Sequence, residues 1–229
     1  MKTALIYAAG FGTRMGALTK SQPKPMLDLN GRPLIDHVVE MMRGGGVEKF
    51  HINTHYLSEQ ISNHFNNDPS VFIHHEIAEP LETGGTLKSI ADELPEAIFT
   101  MNSDALFSGA NPLNLLRDAW DNNLDALMMM VPVAYAQNYA GKGDFNVKDG
   151  QISWRDVDGV ADYVYTGLQI IRPSLAQTFA EDIFSTKLIW TKLIEKGSVR
   201  AVIYPDQWID IGTIQALEAA RKMTPQGRK

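Results

Sequence analysis

Residues 3–10 read Thr-Ala-Leu-Ile-Tyr-Ala-Ala-Gly, an apolar run that ends in glycine. A continuous apolar run of this length is typical of a strand that is buried on both faces. A polar loop rich in glycine and proline follows it, from residue 10 to residue 25. Because ligands of open α/β sheets bind beyond the carboxyl ends of the strands, this stretch predicts a central strand that leads into a ligand-binding loop.

The remainder of the first 131 residues alternates between helical and extended patterns. Alternation of this kind implies right-handed βαβ units. We therefore predict an α/β fold: a doubly wound, mostly parallel, Rossmann-like mixed sheet with helices on both faces. The predicted helices cover 33–42, 58–65, 86–94 and 112–122, and the predicted strands after the first cover 49–54, 71–76, 97–102 and 124–131.

The pattern changes after Pro132. Asp149-Gly150 favours a hairpin turn between two short extended segments, 144–148 and 151–154. Antiparallel strands are therefore expected here, as a small insertion in the mixed sheet. We predict one domain over residues 1–223, divided at residue 131, and a flexible tail over residues 224–229. Further strands are predicted over 163–171 and 199–204, and helices over 185–196 and 213–223.

Composition narrows the classes of function. The 229-residue chain has 21 basic and 27 acidic side chains and a net charge of −6, which opposes nonspecific binding to nucleic acid or anionic membranes. It has no cysteine, which excludes disulfides and thiolate metal sites. We find no signal peptide and no apolar segment of about 18 residues that could span a membrane. We expect a cytoplasmic protein with small-molecule substrates, and the sequence does not indicate its oligomeric state.

The loop after the first strand has the features of an anion site. Its glycines match neither a dinucleotide fingerprint nor a Walker loop, which disfavours a nicotinamide oxidoreductase, although a plain strand-to-helix turn remains open. Pro23 and Pro25 restrict the backbone around Lys24 and hold it in an extended segment. An acidic protein that places Lys24 and Arg14 beside a glycine loop is expected to bind an anion there.

Residues 8–26, AAGFGTRMGALTKSQPKPM, are similar to the signature LAAGxGTRMxPLTxxxPKP of the sugar-1-phosphate nucleotidylyltransferases. Ala17 stands where the family usually has proline. The resemblance continues to about Met223 and implies an enzyme that joins an NTP to a sugar 1-phosphate, with Mg²⁺ as cofactor. It also implies that residues 1–131 form a nucleotide-binding half and residues 132–223 a sugar-binding half.

Four further segments carry the resemblance. Residues 79–85 resemble the segment that holds base and ribose, residues 99–104 and 208–213 resemble the two magnesium segments, and residues 143–145 with 165–168 resemble the sugar-side segments. Ordinary turn or helix-cap roles remain open for each of them. The resemblance implies catalytic roles for Arg14 and Lys24, nucleotide binding by Ala8, Ala9, Gly10, Gly12, Thr13, Glu79, Glu82, Thr83 and Gly84, sugar-phosphate binding by Asn102, Gly143, Asp144, Tyr165, Thr166 and Gly167, and metal binding by Asp104 and Asp210.

The sequence motifs indicate the substrate less specifically than they indicate the family. Three features are most similar to the family members that transfer uridylyl from UTP to N-acetylmuramate 1-phosphate. They are the short length of the chain, the motif Pro-Leu-Glu-Thr-Gly-Gly and the motif Gly-Asp-Phe. Mannose-1-phosphate guanylyltransferase and glucose-1-phosphate thymidylyl- or uridylyltransferase remain alternatives. A further alternative is a regulator that binds nucleotide or sugar without catalysis. Ala17 and Ser103 give it slight support, since Ser103 replaces the usual glycine of the family.

Overall fold

The computed structural model describes residues 1–223. None of its helices has the length and apolar character required to cross a bilayer. The helices are α1 (Leu34–Gly44), α2 (Ser58–Phe65), α3 (Glu82–Ser89), α4 (Pro112–Ala119), α5 (Lys187–Lys196) and α6 (Ile214–Met223). The strands are β1 (Thr3–Tyr7), β2 (Asp28–Leu29), β3 (Arg32–Pro33), β4 (Lys49–Thr54), β5 (Val71–His75), β6 (Ile98–Asn102), β7 (Ala105–Phe107), β8 (Ala126–Pro132), β9 (Ala136–Gln137), β10 (Phe145–Lys148), β11 (Gln151–Trp154), β12 (Tyr163–Ile171), β13 (Val199–Ile203) and β14 (Trp208–Asp210).

A mixed sheet organises the described residues, with strand order β10-β11-β13-β8-β12-β6-β1-β4-β5. Strands β6, β1, β4 and β5 are parallel to one another, and β13 is parallel to β8. Strand β12 runs antiparallel between β6 and β8, and the β10–β11 hairpin is antiparallel as well. The predicted doubly wound, Rossmann-like mixed sheet and its antiparallel insertion are confirmed.

Helices cover both faces of the sheet, which explains the continuous apolar run in β1. Ala4 and Ile6 pack in a core with residues of α1, α2 and α4, whereas Leu5 packs on the other face with residues of α3 and α5. Successive side chains of a strand point to opposite faces. Each position of β1 therefore contacts a core, and a polar residue would be buried at any of them.

A second, three-stranded sheet forms one side of the molecule, and the sequence patterns did not predict it. Strand β14 lies between β7 and β9, antiparallel to β7 and parallel to β9. Asp210 is opposite Ala105 in this pairing, and the Ile211 amide donates to the carbonyl of Asp104 at 2.9 Å. The small sheet therefore brings two carboxylates together that are far apart in sequence.

The structure corrects two local predictions. Helix α3 begins at Glu82 rather than at residue 86, and its first amides, Gly84 and Gly85, donate to the carbonyl of Phe184 at 2.8 and 3.0 Å. The loop after β1 contains short 3-10 helices over Thr13–Thr19 and Lys24–Met26, so Lys24 starts a turn and is not extended. The predicted flexible tail, residues 224–229, lies outside the described residues.

Candidate active site

The glycine loop folds back onto the segment that carries Lys24. Gly12 has a φ of +64°, and a Cβ at this position would lie 2.9 Å from Lys24 Cβ and 3.0 Å from Thr19 Cγ2. Both the left-handed backbone and the close approach therefore require glycine. The Thr19 hydroxyl also donates to the Gly12 carbonyl at 3.0 Å. The loop thereby positions Lys24 at the carboxyl end of β1.

Lys24 and Asp104 form a buried ion pair. Lys24 is only 9% exposed, and its ammonium group donates to Asp104 Oδ2. The other carboxylate oxygen, Asp104 Oδ1, is buried and has no hydrogen-bond donor within residues 1–223. An unpaired buried carboxylate oxygen is costly and is expected to be satisfied by a bound cation or donor.

Asp210 lies beside this pair, on β14. Burial and the charge of Asp104 raise the pKa of the Asp210 carboxyl from 3.8 to about 6, against the lowering effect of Lys24 and Arg14. The Arg14 guanidinium is 3.9 Å from Asp210 Oδ2. Two neighbouring carboxylates with an unpaired oxygen offer the hard ligands that a divalent cation such as Mg²⁺ prefers, so the donor set fits this ion.

A first cavity of about 380 Å³ opens at the carboxyl ends of β1 and β6. Two of the predicted nucleotide-binding residues, Glu79 and Gly84, do not line this cavity. Glu79 is exposed beyond the cavity, and Gly84 packs against Phe184, where an added Cβ would lie 2.4 Å from the ring. The predicted residues that do line it are Ala8, Ala9, Gly10, Gly12, Thr13, Arg14, Lys24, Glu82, Thr83, Asn102 and Asp104.

Glu76, which the sequence analysis missed, organises the wall of the first cavity. Its carboxylate is buried and accepts hydrogen bonds from Asn53 Nδ2 at 2.8 Å, the Thr86 hydroxyl at 2.6 Å and the Leu81 amide at 2.9 Å. Asn53 Oδ1 in turn accepts from the Ala8 amide at 2.9 Å. This network joins the glycine loop to the start of α3.

A second cavity of about 500 Å³ adjoins the first and shares Tyr7, Thr83 and Asn102 with it. The Tyr7 hydroxyl is buried and unpartnered in the described chain, and burial raises its pKa far above the usual range. Tyr7 stands where the family signature has leucine. The two cavities therefore form one continuous cleft, with a polar group that a ligand can satisfy at their junction.

The structure places three of the predicted sugar-side residues, Gly143, Asp144 and Tyr165, on the wall of the second cavity. Asp144 Oδ2 accepts from the Tyr165 amide at 3.0 Å, which fixes this wall. Thr166 and Gly167 do not line the cavity. The Thr166 hydroxyl is buried and donates to a backbone carbonyl of β8, and Gly167 packs against the Asn102 side chain.

Other residues of the second cavity were not predicted. Trp154 and Trp190 supply aromatic surface, and Arg155 and Lys187 supply positive charge. No sequence motif marks them. Only the pairing of β11 in the sheet and the packing of α5 bring them to one cleft, and neither can be derived from local patterns.

Trp208 and Asp210 lie at alternate positions of β14 and therefore on the same face of the strand. Both line a smaller pocket of about 260 Å³ that shares Arg14 and Gly212 with the first cavity. The Trp208 indole nitrogen donates to the carbonyl of Thr166 at 3.0 Å. The ring therefore supports the strand that carries Asp210.

A second group of potential metal ligands lies away from this cleft. His51 Nδ1 and His74 Nε2 are 2.9 Å apart, and the ligand atoms of His51, His74 and Glu93 all lie within 4.8 Å of one another. Burial lowers the pKa of both imidazoles. None of these residues lines either main cavity.

The cleft, its glycine loop and its acidic pair can be compared with known proteins. The family model described as "MobA-like NTP transferase domain" matches residues 4–141. The chain belongs to the MobA-like NTP transferase family. It is similar to N-acetylmuramate alpha-1-phosphate uridylyltransferase from Caulobacter vibrioides, at 30% identity over 96% of this chain and 95% of that protein.

A more distant relative and a solved structure are also similar to this transferase. It is 27% identical to mannose-1-phosphate guanyltransferase beta-A from Xenopus laevis, over 91% of this chain and 61% of that protein. The solved inositol-1-phosphate CTP transferase from T. maritima has a TM-score of 0.80 at 17% identity and covers 100% of this chain and 98% of its own. The chain is a nucleotidyltransferase that acts on sugar 1-phosphates.

Proposed function

We propose that this transferase moves uridylyl from UTP to N-acetylmuramate 1-phosphate and releases pyrophosphate. The observation that carries the reaction is the convergence of Lys24, Asp104, Asp210 and Arg14 at the cleft. The relative from Caulobacter vibrioides supports the choice of base and sugar. The cytoplasmic location that the composition led us to expect is part of the same proposal.

The reaction needs alignment of two anions rather than a general base. The second pKa of a phosphate monoester is about 6, so the sugar phosphate is already a nucleophile near neutral pH. One of its oxygens forms a bond to the α-phosphorus of UTP, and the bond from that phosphorus to the bridging oxygen of pyrophosphate breaks. Lys24 balances charge where the two phosphates meet, and Arg14 contacts the leaving β and γ phosphates.

Asp104 and Asp210 would hold Mg²⁺. The ion would supply charge stabilisation on phosphate oxygens. In the structure, Asp104 Oδ2 binds Lys24 and Oδ1 is left unpaired, so Lys24 and a cation can use the same carboxylate. We assign the backbone amides of residues 9–13 in the glycine loop to the triphosphate, because the Ala8 amide already donates to Asn53.

Each half of the chain supplies one cavity. The first cavity is lined by residues between 7 and 104 together with Gly212, and we assign it to the nucleotide. The second cavity is lined largely by residues 143–190, and we assign it to the sugar. With this assignment, residues 1–131 would contribute most of the nucleotide cavity and residues 132–223 most of the sugar cavity.

A matrix of UTP, GTP, CTP and dTTP against several sugar 1-phosphates, scored by pyrophosphate release with Mg²⁺, tests the proposal. We expect the highest kcat/KM for UTP with N-acetylmuramate 1-phosphate. A preference for GTP with mannose 1-phosphate would favour the guanylyltransferase alternative. Tight NTP binding without pyrophosphate release from any pair would favour the idle regulator.

Two variants test the roles of the ion pair. Lys24→Ala and Asp104→Asn are each expected to lower kcat by about 100- to 1,000-fold, the usual effect of removing one preorganised transition-state contact. Lys20→Ala is the matched control, because Lys20 is an exposed lysine of the same loop. Near-normal activity in either site variant would discredit the assignment.

A further inference from the structure

Positive charge in the second cavity contrasts with the acidic chain around it. Among the described residues that line this cavity, the charged ones are Asp144, Arg155 and Lys187. Two cations and one carboxylate give this wall a net positive charge, although the whole chain carries −6. The first cavity has the opposite balance, since Arg14 and Lys24 there face Glu76, Glu82 and Asp104.

Arg155 is held in a fixed orientation. Its Nε donates to the carbonyl of Gly143 at 3.1 Å, and its Nη1 donates to the carbonyls of residues 156, 157 and 159 at 3.0–3.2 Å. These are neutral acceptors, so no carboxylate of residues 1–223 neutralises the guanidinium. A guanidinium with one edge pinned and its charge unpaired is preorganised to bind an anion.

Lys187 supplies the second cation, at the first residue of α5. It is exposed at the cavity mouth, and no acidic side chain in the described part of the chain pairs with it. By contrast, Lys196 at the other end of the same helix is paired with Asp125 at 2.7 Å. Lys187 is therefore a second positive charge without an ion-pair partner on the wall that also carries Arg155.

Aromatic side chains also line the second cavity. Phe145 and Trp154 are stacked with their ring centroids 4.4 Å apart, and Tyr165 meets Trp190 edge to face at 4.7 Å. Surfaces of this kind pack against the apolar faces of a sugar ring. The second cavity thus offers aromatic surface for a ring and two unpaired cations for a negatively charged substituent.

We infer that Arg155 and Lys187 form a carboxylate-binding subsite that selects sugar 1-phosphates bearing an acidic substituent. This inference rests on the proposed function and deepens it. The phosphate of the acceptor belongs at the junction with Lys24, which leaves the cations of the second cavity for a second anionic group. The lactyl carboxylate of N-acetylmuramate is such a group, and N-acetylglucosamine 1-phosphate is the same sugar without it.

The experiment compares these two acceptors with UTP and Mg²⁺ in the full chain and in Lys187→Gln and Arg155→Gln. We expect each variant to lose about 10- to 100-fold in kcat/KM for N-acetylmuramate 1-phosphate, as for a lost hydrogen bond to a charged group. The kcat/KM for N-acetylglucosamine 1-phosphate should change by less than about threefold, which is within the range of effects of surface substitutions. Lys196→Gln makes the same chemical change on the same helix and should alter kcat/KM for neither sugar phosphate.

The two possible failures are distinguishable. An equal loss for both sugars in Arg155→Gln would show that Arg155 only supports its loop, and an unchanged preference in both variants would overturn the subsite. A wild-type protein that uses both sugars equally well would also overturn it while leaving the transferase reaction intact. Absence of pyrophosphate release with every acceptor would instead refute the proposed function.

Discussion

Replacing Asp210 by asparagine is expected to stabilise the metal-free protein while it abolishes activity. Burial and the charge of Asp104 raise the pKa of Asp210 from 3.8 to about 6, so the ionised carboxylate is disfavoured in the folded state. One pKa unit corresponds to about 1.4 kcal/mol, which would make the cost about 3 kcal/mol in a fully buried site. The side chain is 37% exposed, and solvent screening reduces this to about 1 kcal/mol.

The raised pKa of Asp210 also determines how the stability difference between wild type and variant changes with pH. The folded-state pKa of Asp210 lies above the unfolded value, so the unfolded chain loses its proton first as the pH rises. The destabilising effect is therefore absent below about pH 4, grows between about pH 4 and 6, and is complete at pH 7. The difference between Asp210→Asn and wild type should follow the same course.

Thermal unfolding in EDTA measures the effect. A gain of about 1 kcal/mol raises the Tm of a domain of this size by roughly 2–4 °C at pH 7.5. Mg²⁺ should raise the Tm of the wild type and leave that of the variant unchanged, because only the wild type would bind the ion. Asp158→Asn is a control that removes an exposed carboxylate. A variant that is less stable than wild type in EDTA at pH 7.5 would refute this reasoning.

Three other substitutions have defined outcomes. Gly212→Ala places a Cβ 2.7 Å from Arg14 Nη1, so steady-state kinetics should show a rise of about 10-fold in the KM for the NTP. The Tm should be nearly unchanged because the guanidinium can move, and an unchanged KM would argue against the contact between Arg14 and the phosphates. Glu76→Ala removes the acceptor of three hydrogen bonds, and urea unfolding should show a loss of about 3 kcal/mol, whereas a loss below about 1 kcal/mol would contradict the network. Gly84→Ala places a Cβ 2.4 Å from the Phe184 ring and 2.7 Å from the Phe184 carbonyl oxygen and should cost about 1–3 kcal/mol. Phe184→Leu in the same chain should restore the part that is due to the ring, and equal losses in single and double variants would contradict the packing argument.

The central part of the fold was predictable because its strands are long enough to show a pattern. β1, β4, β6 and β8 have five to seven residues each, of which four to six are buried in the sheet, and glycine or proline lies near their ends. The small sheet of β7, β9 and β14 was not predictable in this way, since strands of two or three residues show no periodicity. Its existence depends on pairing between distant segments.

The start of α3 illustrates a tertiary effect on local structure. Gly84 and Gly85 favour a loop by their propensity, and the helix was therefore predicted to start after them. The carbonyl of Phe184 accepts from both amides, and the Phe184 ring fills the space that a larger side chain would need. A contact across about one hundred residues thus decides where this helix begins.

The candidate site was only partly visible in the sequence for the same reason. Lys24, Asp104 and Asp210 could be selected because they belong to segments that resemble a family signature, and the structure brings them together. Glu76 and Arg155 belong to no such segment. Their positions follow from the packing of β5 and β11, which a single sequence does not specify.

The central claim is that Asp104 and Asp210 bind one divalent cation beside the triphosphate of the substrate. Calorimetric titration of Mn²⁺ in the presence of a non-hydrolysable UTP analogue tests it on the wild type, Asp104→Asn, Asp210→Asn and the double variant. We predict that each single variant loses most of the binding and that the double variant is little worse, because both carboxylates serve the same ion. Wild-type affinity in either single variant, or losses that add fully in the double variant, would contradict the account.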